Sequence, residues 1–279
     1  MNLPDDATLK RIAAALERLA PPPPAEPAPG SLAAMRWDGR RLDAVAPAPT
    51  VPIHAFIGVG PQIERISCNL ESLAQGGAAH DMLLWGARGM GKSALVRALA
   101  GEKGIALVEC AADDLASLPR LFGRLMGARG PFLIFVDDLA FDGPNPLLRT
   151  LRSLLDGGVA RRPDHCRLAV TSNHRHLIAD AEASDSRHPR DSRDDALALV
   201  DRFGLVLGFH PASQEEYLAM CRTYLEMEGL GLDETDALAF ALARGGRSGR
   251  TAWHYRVECL TRRAGTAPTA PLATDNESQ

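Results

Sequence analysis

The segment from Asp81 to Ser93, DMLLWGARGMGKS, constrains the fold more than any other part of the chain. It begins with a short apolar run that is typical of a buried strand. It continues in the pattern G-x-x-x-x-G-K-[ST] and leads into a run predicted to be helical, 94–100. Glycines in such a strand–loop–helix unit let backbone N–H groups surround an anion, and the helix N-terminus adds partial positive charge. The segment therefore predicts a phosphate-binding loop for a nucleoside triphosphate.

The positions of this loop have different expected roles. Lys92 is expected to reach the β- and γ-phosphates, and the hydroxyl of Ser93 is expected to bind Mg²⁺. The other positions expected to contact the nucleotide are Gly86, Ala87, Arg88, Gly89, Met90, Gly91 and, in the helix, Ala94. The alternative, a glycine-rich turn that binds nothing, is disfavoured by the flanking strand and helix.

Composition limits the classes of protein that this chain can belong to. Its 279 residues allow one α/β domain with a smaller appendage. The net charge of −4 gives no overall attraction to nucleic acid or to anionic membranes, although a local basic face remains compatible with it. The five cysteines form no C-x-x-C pair, which favours free thiols in a reducing cytosol. No run approaches the roughly 20 apolar residues that span a bilayer, so we expect a cytoplasmic protein without membrane contact.

Sequence patterns divide the chain into five regions. Residues 1–20 are expected to form an amphipathic helix, and 21–50 a proline-rich linker and irregular segment. Residues 51–211 alternate apolar strands with helices, which predicts an α/β domain with a five-stranded parallel sheet covered by helices. Residues 212–264 are expected to form a small all-α lid, and 265–279 a disordered tail.

Two acidic residues follow the apolar strand Phe132–Val136, which is expected to be central and beside the phosphate loop. Asp137 is placed to hold Mg²⁺ together with Ser93, and Asp138 to act as a general base on the attacking water. Many ATPases have glutamate at the second position. Aspartate is one methylene shorter, so the base must lie closer or act through another water. The alternative for this pair is a simple turn after a buried strand.

Further polar residues follow the later strands. Asn173 can hydrogen-bond the γ-phosphate and the lytic water through its amide, although Ser-Asn after a strand is also a turn signal. Arg202 precedes the fifth strand, where it could reach a neighbouring subunit's γ-phosphate, or form a surface salt bridge with Asp201 or with the charged insertion at 181–195. Arg250 begins the last lid helix and could lie over the phosphates, with Arg247 as the second candidate.

Taken in order, these motifs resemble those of the AAA+ ATPase superfamily. The stretches LLWGARGMGKS, DDL, TSN-x-RHLI, DRFGL and GGRSGRTA are most similar to a bacterial family called domain of unknown function 815, described as stand-alone AAA+ ATPases. The resemblance covers roughly 51–263, with a looser match at 35–37. It implies a P-loop AAA+ fold, ATP and Mg²⁺ as ligands, and assembly into a homo-oligomer.

The resemblance also implies a role for each matching residue. By this resemblance, Lys92 and Ser93 belong to the Walker A motif and Asp137 and Asp138 to the Walker B motif. Asn173 corresponds to sensor 1, Arg202 to the arginine finger and Arg250 to sensor 2. The segment that flanks the adenine would be Ile57, Gly58 and Val59. Asp138 departs from the usual glutamate, which bears on the rate of hydrolysis and not on binding.

The leading functional hypothesis is an oligomeric ATPase that hydrolyses ATP at a shared subunit interface and remodels a protein partner. The segment 111–115 has no aromatic residue of the kind that threading unfoldases use, which argues against a processive unfoldase. A nucleic-acid-linked loader or initiator is the alternative, with a basic face supplied by Arg120, Arg124, Arg129, Arg149, Arg152, Arg161 and Arg162. An ATP-binding switch with little turnover is a further alternative. A small-molecule kinase is disfavoured by the Asp201–Phe203 element and by the helical region after the fifth strand.

Overall fold

The computed structural model describes residues 6–19, 33–47, 49–140, 146–157, 161–173 and 198–266. Its centre is one seven-stranded sheet. The strands are β1 (Ala34–Trp37), β2 (Leu42–Ala44), β3 (Met82–Gly86), β4 (Ala106–Cys110), β5 (Phe132–Val136), β6 (Cys166–Thr171) and β7 (Leu205–Phe209). The α/β class is therefore confirmed, and five of these strands, β3 to β7, lie within 51–211, the region expected to form the α/β domain.

The strands follow the order β2-β1-β4-β5-β6-β3-β7, and every neighbouring pair except β1 with β2 is parallel. The phosphate-loop strand β3 lies between β6 and β7. The strand β5, which ends before Asp137, is central, but β6 separates it from β3. The expected central position of β5 agrees with this order, and Asp137 at its end lies beside the phosphate loop, where it accepts a hydrogen bond from Ser93. The carboxyl ends of β3, β5 and β6 still meet at one edge of the sheet.

The expected number of five strands was wrong, because residues 21–50, predicted as a linker and irregular segment, contribute β1 and β2. Met35 and Trp37 alternate with the exposed Arg36, and both apolar side chains are buried on the sheet. β1 pairs in parallel with β4 and in antiparallel with β2. Strands of four and three residues give too short a period-two pattern to stand out beside the proline-rich sequence around them.

Helices cover both faces of the sheet. The helix α1 (Asp6–Leu19) precedes the sheet in the chain, and the helices that cover it before the lid include α2 (Gly60–Ala74), α3 (Lys92–Glu102), α4 (Leu118–Leu125) and α5 (Pro146–Leu155). Buried residues of α2 and α3 join one core cluster, and those of α4 and α5 join a second. Successive residues of β3 alternate between the two clusters, with Met82 in the first and Leu83 in the second. The sheet is therefore buried on both sides, as its continuous apolar strands predict.

The lid consists of three helices: α6 (Gln214–Glu226), α7 (Glu234–Ala243) and α8 (Gly249–Thr266). A capping box begins α6, in which Ser213 Oγ accepts from the backbone N–H of Glu216 and the Glu216 carboxylate accepts from the backbone N–H of Ser213. Two buried tyrosines connect the helices. Tyr217 donates to the carbonyl of Ala237 at 3.1 Å, and Tyr255 donates to Asp236 at 3.1 Å.

Ser117 precedes α4 without capping it through its side chain. Its hydroxyl donates to the carbonyl of Asp114 and accepts from the indole N–H of Trp37. The last helix α8 extends to Thr266. The proline-rich linker at 21–32, the segment 174–197 and the rest of the tail from 267 lie outside the described residues. Among the helices that the structure describes, none is long and apolar enough to cross a membrane.

The burial of the cysteines predicts which thiols react. Burial raises the pKa of Cys110 and Cys166 to about 12 and that of Cys221 to about 11, so their thiolate fractions are small at pH 8. Cys68 is exposed. We therefore expect a maleimide at pH 8 to label Cys68 at least about 100-fold faster than these three, by mass spectrometry of the folded protein. Denaturant should remove the difference, and rapid labelling of Cys166 without denaturant would contradict the packing of β6.

Candidate nucleotide-binding site

The phosphate loop passes very close to its neighbouring strand. The backbone N–H of Ala87 donates to the carbonyl of Phe209 at 2.7 Å. A Cβ added to Gly86, whose φ is +119°, would lie 2.1 Å from that carbonyl oxygen. Gly91 has a φ of +86° immediately before α3. These two positions need glycine, and they turn the chain so that the N-terminus of α3 faces the loop.

Lys92 is a buried cation whose three donors are all used within the loop region. Its ammonium donates to the carbonyls of Gly86 at 2.8 Å and Ala87 at 2.9 Å, and to Asn173 Oδ1 at 3.0 Å. Burial lowers the pKa of Lys92 to about 8, opposed by the carboxylates of Asp138 and Asp137. An added anion in the loop would favour the charged form of this lysine.

Asp137 accepts hydrogen bonds from two hydroxyl groups on different elements. Ser93 Oγ, on α3, donates to Asp137 Oδ1 at 2.5 Å. Thr171 Oγ1, at the end of β6, donates to the same oxygen at 2.6 Å. The second oxygen of Asp137 lies 3.4 Å from Nη2 of Arg97. The structure thus brings together the two residues predicted to hold Mg²⁺, with an oxygen-rich donor set of the kind that this ion prefers.

Asp138 has a left-handed backbone conformation, with a φ of 55°. Its backbone N–H donates to Thr171 Oγ1 at 2.9 Å, and its Oδ1 accepts from the side-chain amide of Asn173. Aspartate tolerates this conformation better than most residues. Asn173 therefore connects the ammonium of Lys92 to the carboxylate of Asp138.

The lid contacts the phosphate loop through the first turn of α8. The backbone N–H of Arg250 donates to the carbonyl of Gly89 at 3.0 Å. Ser248 Oγ accepts from the backbone N–H of Thr251 at 3.1 Å, which caps the helix. Of the two arginines considered for this position, Arg250 lines the cavity above the loop, and Arg247 is exposed and outside its lining.

A cavity of about 610 Å³ separates the phosphate loop from the lid. This volume is in the range of small-molecule sites. The apolar part of its lining includes Val51, Ala55, Phe56, Ile57 and Val59 before α2, Met90 and Ala94 of the loop and α3, and Met220, Tyr224 and Trp253 on the lid. Its polar part includes Lys92, Ser93, Arg97, Asp137, Asp138, Thr171, Asn173 and Arg250. The cavity lining does not include Gly58, Gly86, Ala87 or Arg88. The carbonyl groups of Gly86 and Ala87 nevertheless accept hydrogen bonds from the ammonium of Lys92.

Arg202 lies away from this cavity, before the edge strand β7. Its guanidinium contacts Asp156, at the end of α5, and the carbonyl of Ala198. The in-chain partner is therefore Asp156 and not the adjacent Asp201. Within one chain, Arg202 is not brought together with the other predicted site residues.

Comparison with known proteins places this geometry in a family. A model of the family described as "Protein of unknown function (DUF815)" matches residues 30–263. The chain belongs to this family. None of the curated proteins compared with it matches.

Solved structures show that this DUF815 protein has the AAA+ fold. The Holliday junction branch migration motor RuvB of Thermotoga maritima is similar with a TM-score of 0.50 and 17% identity, over 76% of this chain and 66% of RuvB. Orc1 of Aeropyrum pernix, solved in complex with DNA, is similar with a TM-score of 0.52 and 18% identity, over 77% of this chain and 62% of Orc1. The DUF815 chain thus spans less than two thirds of the length of each. The expected AAA+ fold and the expected membership in the DUF815 family are therefore confirmed.

Sequence reasoning missed several residues that line the DUF815 cavity. Thr171 is the last residue of β6, and the apolar pattern of this segment predicts it only as a strand residue. Arg97 lies four residues after Ser93, a helical spacing that could have indicated a shared face. Tyr224 and Trp253 come from different lid helices, and their rings meet edge to face at 5.5 Å. No spacing in the sequence indicates that Tyr224 and Trp253 are in contact, because only the packing of the lid brings them together.

Proposed function

We propose that this protein binds ATP with Mg²⁺ between the phosphate loop and the lid, and hydrolyses it at an interface between subunits to remodel a protein partner. The observation that carries the proposal is the network of Lys92, Asn173 and Asp138 beside the Ser93–Asp137 pair, at one end of the cavity. These residues supply a cation for phosphate, oxygen ligands for a metal ion and a carboxylate for a water molecule.

The residues of the site fit a metal-bound triphosphate. Lys92 and Arg250 provide positive charge in the cavity lining, and the N-terminus of α3 adds its dipole. Ser93 and Asp137 would hold Mg²⁺, which when bound offsets the negative charge of phosphate oxygens. The apolar end of the cavity, with Ile57 and Val59, suits an adenine ring.

The hydrogen bonds of Lys92 suggest how phosphate binding prepares the site. All three donors of its ammonium are in use, so a phosphate oxygen must replace one of the three acceptors. Asn173 is the only side chain among the three. When Lys92 turns toward phosphate, Asn173 Oδ1 becomes available to water, and its amide nitrogen still holds the Asp138 carboxylate. Asp138 can then accept a proton from that water.

An interface between subunits completes the proposed site. Arg202 lies outside the cavity of its own chain, at the edge of the sheet. A guanidinium from a second copy would stabilise the charge that develops on the transferred phosphoryl group. The proposal therefore includes a homo-oligomer, with ATP binding tightening the interface and hydrolysis loosening it.

A nucleic-acid-linked role is the alternative. RuvB is described as a Holliday junction branch migration motor, and Orc1 was solved in complex with DNA. Their similarity to this chain extends only to the fold. Several of the seven arginines that could form a basic face are already engaged, among them Arg162 with the buried Asp81, Arg161 with Asp164, and Arg124 over the ring of Trp37. DNA binding that weakens steeply with salt and accelerates ATP turnover would favour this alternative.

The first test is ATP binding and turnover of Lys92→Ala. We expect about 100-fold weaker ATP binding by calorimetry, because two or more charge-assisted hydrogen bonds to phosphate are lost. The matched control is Lys103→Ala at the other end of α3, where the lysine pairs with Glu71 on the surface. It should bind ATP like the wild type.

Wild-type turnover should also rise per subunit with protein concentration, because each site needs a neighbour. Unchanged ATP binding by Lys92→Ala would contradict the site. Turnover per subunit that is flat with concentration would contradict the shared interface and favour an ATP-binding switch.

A further inference from the structure

Arg97 is a cation that lies between the candidate nucleotide site and a second cavity. It follows Ser93 by one turn of α3, so both side chains lie on the same face of the helix. Its Nη2 is 3.4 Å from Asp137 Oδ2, and its Nε donates to Glu109 Oε1 at 2.9 Å. The guanidinium thus joins the carboxylate proposed to hold a metal ion to a carboxylate on β4 that does not line the nucleotide cavity.

The register of the sheet explains this arrangement. Glu109 on β4 and Phe135 on β5 are register partners, so their side chains lie on the same face of the sheet. Asp137 follows Phe135 by two residues and continues along that side. The guanidinium of Arg97 lies over the ring of Phe135, with Cζ 4.9 Å from the centroid. Phe135 therefore provides a platform over which Arg97 extends between the two carboxylates.

Arg97 has space beside it on the Glu109 side. A second cavity of about 430 Å³ is lined by Arg97, Glu109 and Asp137 together with residues of β1 and of the segment after β4. The side chain of Arg97 is about one quarter exposed (27%), as is that of Glu109 (29%). The pair is therefore neither locked in the core nor fully solvated, and the guanidinium already reaches both carboxylates from one position.

We propose that Arg97 is an internal counterion that occupies Asp137 when no metal ion is present and withdraws onto Glu109 when Mg²⁺ is bound. This inference rests on the proposed function. Two cations beside one carboxylate repel each other, so Arg97 competes with a metal ion for Asp137. Glu109 offers Arg97 a second carboxylate and reduces the cost of leaving the first. Arg97 therefore raises the Mg²⁺ concentration that the site needs, and Glu109 lowers it.

Metal-dependent nucleotide binding tests this exchange. The measured quantity is the Mg²⁺ concentration that half-saturates the binding of a fluorescent ADP analogue, with EDTA as baseline. Mn²⁺ binding in the presence of ADP, followed by electron paramagnetic resonance, serves as an independent readout. We expect Arg97→Gln to lower the half-saturating concentration about fivefold and Glu109→Gln to raise it about fivefold, the upper range for a partly exposed ion pair.

The double variant separates an exchange of partners from simple addition of charges. If Glu109 acts through Arg97, then Arg97→Gln with Glu109→Gln should have the low Mg²⁺ requirement of Arg97→Gln alone. If the two charges act independently, the shifts should cancel and the double variant should resemble the wild type. That second result, or single shifts in the same direction, would overturn the inference.

Control variants exclude effects of folding and of net charge. Arg120→Gln removes an exposed arginine of α4 and should leave the Mg²⁺ requirement unchanged. Arg97→Lys keeps a cation and should stay within about twofold of the wild type. If Arg97→Gln unfolds at a lower temperature than the wild type, Arg97→Met replaces it in the experiment, because methionine keeps the packing on Phe135. A wild type without Mg²⁺-dependent nucleotide binding would overturn the proposed function and this inference together, whereas parallel shifts overturn only the inference.

Discussion

Arg202→Ala is expected to lower ATP turnover by about 1,000-fold while leaving ATP binding unchanged, because an arginine that stabilises phosphoryl transfer contributes at least this much. The structure places Arg202 outside the cavity of its own chain, in contact with Asp156. Loss of the guanidinium should therefore affect the catalytic step in a neighbouring subunit and not nucleotide binding in its own. Steady-state turnover and calorimetric ATP binding check the two halves of this prediction.

A mixing experiment makes the prediction specific for a shared site. Arg202→Ala subunits keep an intact cavity, and Asp137→Ala subunits keep the arginine. In a random one-to-one mixture about one quarter of the sites should combine both intact parts, so turnover should recover to about that fraction of the wild type. The control Asp156→Ala removes the same in-chain ion pair but keeps Arg202, and it should turn over ATP normally. A mixture with no recovery would show that Arg202 does not act between subunits.

The second large effect is expected at Asp138. Asp138→Asn should lower turnover by about 100- to 10,000-fold, the contribution of a general base, with ATP affinity unchanged. Asparagine has the same shape and tolerates the φ of 55° that this position requires, so backbone strain should not contribute. The variant should accumulate an ATP-bound state, which is measured as labelled ATP retained by the protein with and without a chase.

Two further variants define what this result means. Asp113→Asn removes one negative charge from an exposed aspartate elsewhere in the chain, and it should leave turnover unchanged. Asp138→Glu restores a base on a longer side chain, so turnover above that of Asp138→Asn would support a proton-accepting role. If Asp138→Asn turns over ATP within about twofold of the wild type, Asp138 is not the general base.

The fold could be predicted where the sequence has long, continuous signals. The phosphate loop from Gly86 to Ser93 needed only its own pattern and its flanking strand and helix. The apolar strands and the helix start at Ser213 can similarly be predicted from residues that are close together in the sequence. β1 and β2 could not be predicted from so few residues, because the four-residue β1 is stabilised mainly by pairing with β4, about 70 residues further along the chain, and the three-residue β2 pairs with β1.

The candidate site was predictable in its residues but not in its connections. Ser93, Asp137 and Asn173 follow from motif positions, and the structure brings them into one cavity. The hydrogen bond from Lys92 to Asn173 and the ion pair of Arg97 with Glu109 depend on the register of β4, β5 and β6. Register is a tertiary property, because it is set by how whole strands pack and not by the residues at their ends.

The short strand β2 has a consequence for the solubility of shortened forms of this protein. It ends one side of the sheet with only three residues, and Arg41 and Asp43 pair there on its surface. A fragment beginning at Val51 would lack β1 and β2 and would expose the unpaired N–H and C=O groups of β4. Such an open edge, next to the apolar residues of β4, is a template on which chains aggregate. The hairpin at 33–47 therefore protects the folded chain from association through its sheet.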